Sequence, residues 1–282
     1  MPHTAEISRA TPTCFLFLID QSGSMADPIA SAEPSSGRSK AQFVADALNS
    51  LLQGLVLRCA REEGIRGYFD VGVIGYGNSV GPALAGALAG RELVSITDLG
   101  NYPARLEERT RKVEDGVGGL IDQKIKKPIW IDPVANGGTP MCEAFRQAIS
   151  LLKAWIGSHP QSFPPSVIHI TDGESSDGDP LGLMREVTSL ATSDGNCLLY
   201  NFHISSNAAA KEIVFADSLA GLPDQYATLL FNGASPLIPG VRNEVQRQGM
   251  AVSEGARGFL MNAQTTTIIQ AMDIGTKPSA LR

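Results

Sequence analysis

The 282-residue chain lacks the marks of several large protein classes. Its longest purely apolar run, residues 14–19, is six residues long, where a membrane span needs about 20. Its four cysteines (Cys14, Cys59, Cys142 and Cys197) are widely spaced and form no Cys-x-x-Cys pair. They lie inside apolar segments and read as buried free thiols in a reducing compartment, not as a disulfide frame or a zinc site. Positive charge is in deficit, with 23 Lys and Arg against 29 Asp and Glu and a formal charge of −6. That excludes a general nucleic-acid binder and a protein held on anionic membranes. Residues 1–13 carry a single Arg and no apolar stretch leading to a cleavage site, so no secretory signal is read and a cytoplasmic location is expected. No Gly-Lys-Ser/Thr is present, which removes a phosphate-binding loop.

What is there is a globular balance, 43% hydrophobic and 18% charged, too apolar for disorder. Short apolar strands alternate with longer amphipathic stretches, which predicts an α/β domain with a largely parallel sheet. Six strands are expected, at 14–19, 68–76, 93–97 (an edge strand), 166–171, 197–204 and 257–261. Helices are expected at 39–59, 140–156, 181–193, 207–220 and 266–274. Interleaved in this way, they make one doubly wound domain over 1–282, its core about 13–275, with helices on both faces of the sheet. Three stretches, 26–37, 100–137 and 221–255, read as insertions, because none carries enough apolar periodicity for a core of its own. A hairpin is expected around Gly116, Gly118 and Gly119, with Lys124, Lys126 and Lys127 on its solvated face.

The chemistry concentrates in three loops. Asp20, Ser22 and Ser24 stand as Asp-x-Ser-Gly-Ser directly after the first buried strand. In an open α/β sheet, ligands bind outside the carboxyl ends of the strands, so three oxygen side chains at alternate positions of a tight loop can converge there. Thr139 follows Asn136-Gly137-Gly138 and precedes a helix, and Asp172-Gly173 ends another central strand. Taken singly, each has an ordinary reading: a helix cap for Thr139, turn formers for the others. Together, two carboxylates, two serine hydroxyls and one threonine hydroxyl form an all-oxygen set of modest charge. Such a set selects Mg²⁺, Mn²⁺ or Ca²⁺ over Zn²⁺, and its low charge leaves room for an incoming carboxylate.

These residues resemble the metal-ion-dependent adhesion site of von Willebrand factor type A (vWA) domains: Asp20-x-Ser22-x-Ser24, Thr139 and Asp172-Gly173 match it position by position. The resemblance covers most of the chain and implies a Rossmann-like doubly wound fold. It implies that Ser22, Ser24 and Thr139 ligate a divalent ion, Mg²⁺ or else Mn²⁺ or Ca²⁺, directly or nearly so. Asp20 and Asp172 would hold the ion's waters or bind it directly. It further implies a non-enzymatic protein-binding role in which the partner donates an acidic residue. Within the family the chain looks similar to bacterial intracellular TerY-like proteins of stress-response or defence systems, which implies a kinase or PP2C-type phosphatase partner. The alternative is a vWA subunit of a MoxR- or chelatase-type AAA ATPase assembly. The resemblance also implies that the C-terminal helix could shift with metal coordination.

Enzyme readings fit less well. A haloacid-dehalogenase phosphatase needs Asp-x-Asp where Ser22 stands. Gly138-Thr139-Pro140-Met141 echoes a subtilase nucleophile loop, but Pro140 holds the nucleophile position and no His-Gly pair exists for a triad. His169 and His203 are expected in central strands as core or supporting residues, and Glu174 and Asp177 as solvated loop residues near the site.

Overall fold

The computed structural model describes residues 3–29, 37–114, 120–204, 211–263 and 265–275. Strand β1 (Thr13–Asp20) is buried along its whole length. Its residues alternate between two cores, Phe15, Phe17 and Ile19 on one face of the sheet and Leu16 and Leu18 on the other. A strand covered on both faces has no polar side to show, which is why it reads as an unbroken apolar run.

A 3-10 turn (Gly23–Ala26) leads to α1 (Lys40–Cys59), capped by the Ser39 side chain, which accepts from the Gln42 N–H. After the small hairpin β2 (Ala60–Arg61) and β3 (Gly64–Ile65), β4 (Phe69–Tyr76) runs parallel to β1. Two short strands, β5 (Val80–Pro82) and β6 (Val94–Ser95), pair antiparallel with β4. The expected edge strand is therefore two residues long, and the Ser95 hydroxyl caps α2 (Ile96–Asn101) directly after it.

The expected hairpin is present as β7 (Arg105–Glu114) and β8 (Leu120–Ile129), a separate two-stranded sheet. Its glycines Gly116, Gly118 and Gly119, residues 30–36 of the first expected insertion and residues 205–210 lie outside the described residues. The buried Asn49 of α1 ties down the return from β8: its Oδ1 accepts from the Trp130 and Ile131 N–H groups and its Nδ2 donates to the Ile131 carbonyl.

The remaining elements are α3 (Met141–Ser158), β9 (Ser166–Thr171), α4 (Leu181–Ser189), β10 (Leu198–His203), β11 (Ile213–Val214), α5 (Gln225–Gly233), α6 (Pro239–Arg247), β12 (Phe259–Met261) and α7 (Thr265–Gly275). The main sheet has the order β11-β12-β10-β9-β1-β4-β5, with β6 also on β4. Five strands, β12, β10, β9, β1 and β4, are mutually parallel, and β5, β6 and β11 are antiparallel additions. All six expected strands are thus found, and β5 and β11 join them. Helices α1, α2, α6 and α7 cover one face and α3, α4 and α5 the other.

The chain leaves β1 toward β4 and returns on the other side to β9. The strand order therefore reverses between β1 and β9, the point at which doubly wound sheets open a crevice.

Three expectations need correction. Among the described residues of 207–220 there is no helix. The β-branched pair Ile213–Val214 is instead captured by the exposed edge of β12, an example of tertiary pairing overriding local propensity. Helix α4 stops at Ser189, not 193, because Thr192, Ser193, Asp194 and Gly195 form a turn closed by the Thr192 N–H to the Gly195 carbonyl. Finally, the stretch 221–255 carries α5 and α6. Ala227, Leu230 and Phe231 of α5 join the core on the α3 side, and Val241 and Val245 of α6 join the other.

Candidate metal centre

Asp20 ends β1 and Asp172 directly follows the neighbouring β9 at the reversal of strand order, which brings both carboxylates to the same crevice. The buried Asp20 carboxylate is fixed by two bonds: Oδ1 accepts from the Ser22 N–H at 2.8 Å and Oδ2 from the Thr171 hydroxyl at 2.8 Å. Burial raises its pKa above the usual carboxylate value, with the Asp172 charge adding to the effect and the Ser22 and Thr171 bonds opposing it. From Ser22 a chain of oxygens crosses the loop. The Ser22 and Ser24 hydroxyls are 3.0 Å apart, and Ser24 Oγ donates to Asp172 Oδ1 at 2.8 Å. Four of the five expected residues therefore meet directly.

The fifth, Thr139, arrives on a loop clamped to the first. The Asn136 N–H donates to the Gln21 carbonyl at 2.7 Å and the Gly23 N–H to the Gly137 carbonyl at 3.0 Å. Gly137 has φ +78°, and a Cβ there would lie 2.4 Å from the Asn78 nitrogen, so only glycine allows the close approach. Thr139 is not the cap of α3. That role belongs to Asp177, whose two carboxylate oxygens accept from the Cys142 and Glu143 N–H groups at 2.9 Å each. Asp177 is thus not a merely solvated loop residue. Partial burial works against its charge, but these two N–H groups and the Ser175 hydroxyl outweigh it and hold its pKa below the usual range. The Thr139 backbone is tied to Ser176 through both its N–H and its carbonyl, while its hydroxyl has no hydrogen-bond partner among the described residues. Asp177 frees that hydroxyl for another use.

Lys40, the first residue of α1, was not expected here. Its Nζ donates to Asp172 Oδ2 at 2.6 Å and lies 3.7 Å from the exposed Asp27; its own side chain is 4% exposed and that of Asp172 not at all. One sequence signal could have revealed it: a lysine in the first turn opposes the helix dipole and needs a nearby acid to explain it. Thr171, which fixes Asp20, was likewise missed.

The histidines are where expected. His169 lies under the site, fully buried between the Tyr76 hydroxyl at 2.7 Å and Asn201 Oδ1 at 3.0 Å. Burial pushes its pKa down to about 4 against the Asn201 bond. His203 packs against the Tyr226 ring, and burial lowers its pKa although Asp172 and Asp224 pull the other way.

No family model matches the sequence, and no curated protein matches it. Similar solved structures exist at low identity. The manganese-loaded TRAP protein of Plasmodium vivax is 13% identical, with a TM-score of 0.44, over 98% of this chain and 76% of that one. The ArnB paralog VWA2 of Sulfolobus acidocaldarius is 14% identical, with a TM-score of 0.34, over 71% of this chain and 36% of that one. The three N-terminal domains of the type V pili tip protein Mfa5 of Porphyromonas gingivalis are 9% identical, with a TM-score of 0.29, over 58% of this chain and 20% of that one.

The donor set itself fits a hard divalent cation. It is all oxygen, it mixes two carboxylates with hydroxyls, and it is held on loops braced by backbone bonds. Among the described residues no cluster of three or more His, Cys, Asp or Glu forms. No helix among them is long and apolar enough to cross a membrane.

Proposed function

We propose that the chain is a vWA-type, divalent-metal-dependent protein-interaction module that recognises a carboxylate of its partner. The observation that carries this reading is the oxygen chain Ser22–Ser24–Asp172 at the strand-order reversal, with the Thr139 hydroxyl left unclaimed beside it. Ser22, Ser24 and Thr139 would hold the ion, Asp20 and Asp172 would balance its charge, and a bound ion would supply an electrophilic open position. Mg²⁺ is the expected ion, with Mn²⁺ and Ca²⁺ as chemical alternatives. The protein residues orient the site: Thr171 fixes Asp20, the 136–139 loop fixes the Ser22–Ser24 turn, and Asp177 keeps Thr139 off the helix.

We read the module as non-enzymatic, because the oxygens converge without a poised base. His169 is buried and His203 partly so, and burial lowers the pKa of both. By the motif resemblance we assign it to a bacterial cytoplasmic signalling, stress-response or defence system, with a kinase, a PP2C-type phosphatase or an AAA ATPase as the partner class.

The test has two parts. Titration with Mn²⁺ should show one saturable site that disappears in Ser22→Ala/Ser24→Ala. Capture from native lysate should recover a partner in Mg²⁺ that is lost in EDTA. A folded wild type that takes up no divalent ion would falsify the proposal.

A further inference from the structure

Three observations make Lys40 more than a structural lysine. A buried lysine is rare unless it is paired, and here 4% of the side chain is exposed. It occupies the first turn of α1, where the helix dipole favours acids, so the helix gives no reason for it. And it does not divide its partner: Asp172 presents Oδ1 to Ser24 on the site side and Oδ2 to Lys40 on the far side, so each oxygen has its own donor. Lys40 can therefore keep its bond whether or not an ion occupies the Ser24 side.

Resting on the metal reading above, we propose that Lys40 is a built-in counter-cation that sets the charge of the site, weakening its grip on the divalent ion and creating its demand for an external carboxylate. Asp27, 3.7 Å from Lys40, is 61% exposed and screened by solvent. The buried groups Asp20, Asp172 and Lys40 carry a formal charge of −1, so a divalent ion brings them to +1 and an incoming carboxylate returns them to neutrality. Without Lys40 the two carboxylates alone would neutralise the ion, and its open position would draw a partner's acid less strongly. Lys40 is too buried to touch that partner, so it acts through Asp172 and the field of the site, where low solvent access keeps charge interactions strong. It also keeps Asp172 paired when no ion is bound, so the fold does not depend on metal.

The test uses the full chain with Mn²⁺ as probe. Lys40→Gln keeps a hydrogen-bond donor for Asp172 Oδ2 and removes the charge; Lys40→Met removes both. Both should bind Mn²⁺ about tenfold tighter than wild type, or better. Wild type should melt somewhat higher in Mn²⁺ than in EDTA, because an ion held by the folded state alone stabilises it. Lys40→Met should melt several degrees lower in EDTA and recover in Mn²⁺, and Lys40→Gln should fall between them, so that it still reports if Lys40→Met does not fold. Acetate should raise the Mn²⁺ affinity of wild type by a larger factor than that of Lys40→Gln. Lys40→Gln protein that is folded but binds Mn²⁺ no tighter than wild type overturns the role of Lys40 alone. No Mn²⁺ uptake by folded wild type overturns the metal reading and this inference with it.

Discussion

Two ion clusters lie at opposite ends of the first turns of α1, and they are built to different ends. Lys40 and Asp172 face each other at 2.6 Å with 4% of one side chain and none of the other exposed. Two helical turns on, Asp46 is shared by Arg38 at 2.7 Å, Arg109 at 3.5 Å and Lys127 at 3.8 Å, around a cavity of about 260 Å³. Arg38 and Arg109 are about 40% exposed there, and Lys127 also donates to the Asp46 carbonyl at 3.2 Å. The second cluster pins the β7–β8 hairpin to α1. Asp46 is buried there, but solvent reaches both arginines and three cations share one carboxylate, so the loss of either arginine should have little effect. The first joins one buried cation to one buried anion, with the exposed Asp27 as the second acid within 3.7 Å of Lys40, so a change in the buried pair should be felt at the candidate metal loops. On the proposed reading, charge of the same kind is structural adhesive in one place and sets the chemistry in the other, and the difference lies in a buried one-to-one pair against a carboxylate shared by three cations.

Breaking the buried pair should have the largest effect. Asp172→Leu leaves the buried Lys40 with the exposed Asp27 at 3.7 Å in place of its close partner, and a buried charge stripped of its partner typically costs about 3–5 kcal/mol. Urea denaturation should show that loss, and Mn²⁺ binding should vanish with it. Asp172→Asn keeps the shape and separates the two effects: binding should still be lost, while most of the stability returns.

The second effect comes from His169, buried beneath the same loops with hydrogen bonds but no charge to balance it. Its folded pKa, about 4, lies below the unfolded value of about 6.5. The unfolded chain therefore takes up the proton first as pH falls. The stability tied to neutral His169 is complete above about pH 6.5 and is lost progressively down to about pH 4, up to about 3 kcal/mol. Glutamine keeps both hydrogen-bonding functions and does not titrate. The drop in unfolding free energy between pH 7 and pH 4.5 should be smaller in His169→Gln than in wild type; an equal drop removes His169 as the acid-sensitive group.

The parts of this picture legible in the sequence share a physical cause. Strands β1, β4, β9 and β10 are buried on both faces, so their apolar runs could not be mistaken, and the motif positions Asp20, Ser22, Ser24 and Asp172 follow the strand ends that bring them together. What could not be read depends on contacts between distant segments. Ile213–Val214 is helix-compatible until the edge of β12 is available to pair with it. Asp177 has the composition of a solvated turn, and its role exists only because Cys142, in the first turn of α3 and 35 residues earlier, lies beside it. Lys40 looks like an ordinary helical lysine until Asp172, 132 residues away, takes its charge.

Asp177 gives a smaller effect on the same axis. Asp177→Ala removes the cap of α3, a change that typically costs about 1 kcal/mol. The freed helix N–H groups then compete for the Thr139 hydroxyl, so Mn²⁺ affinity should fall several-fold although Asp177 is not among the proposed ligands. Calorimetric titration of folded Asp177→Ala checks this, and unchanged affinity would detach Thr139 from the site.

The smallest effect should come from the exposed cluster. Arg109→Ala removes one of three cations around Asp46, together with the Arg109 bond to Glu107 at 2.8 Å. Arg38 and Lys127 remain on Asp46, and Arg105 remains on Glu107, so no carboxylate is stranded. Unfolding free energy should fall by less than about 1 kcal/mol at low salt, and the difference should shrink further at 1 M salt, where the screening length is about 3 Å. Mn²⁺ binding should not change. A loss as large as that of Asp172→Leu, or one indifferent to salt, would mean that the hairpin is held by a desolvated pair after all, and the contrast between the two clusters would collapse into one kind of contact.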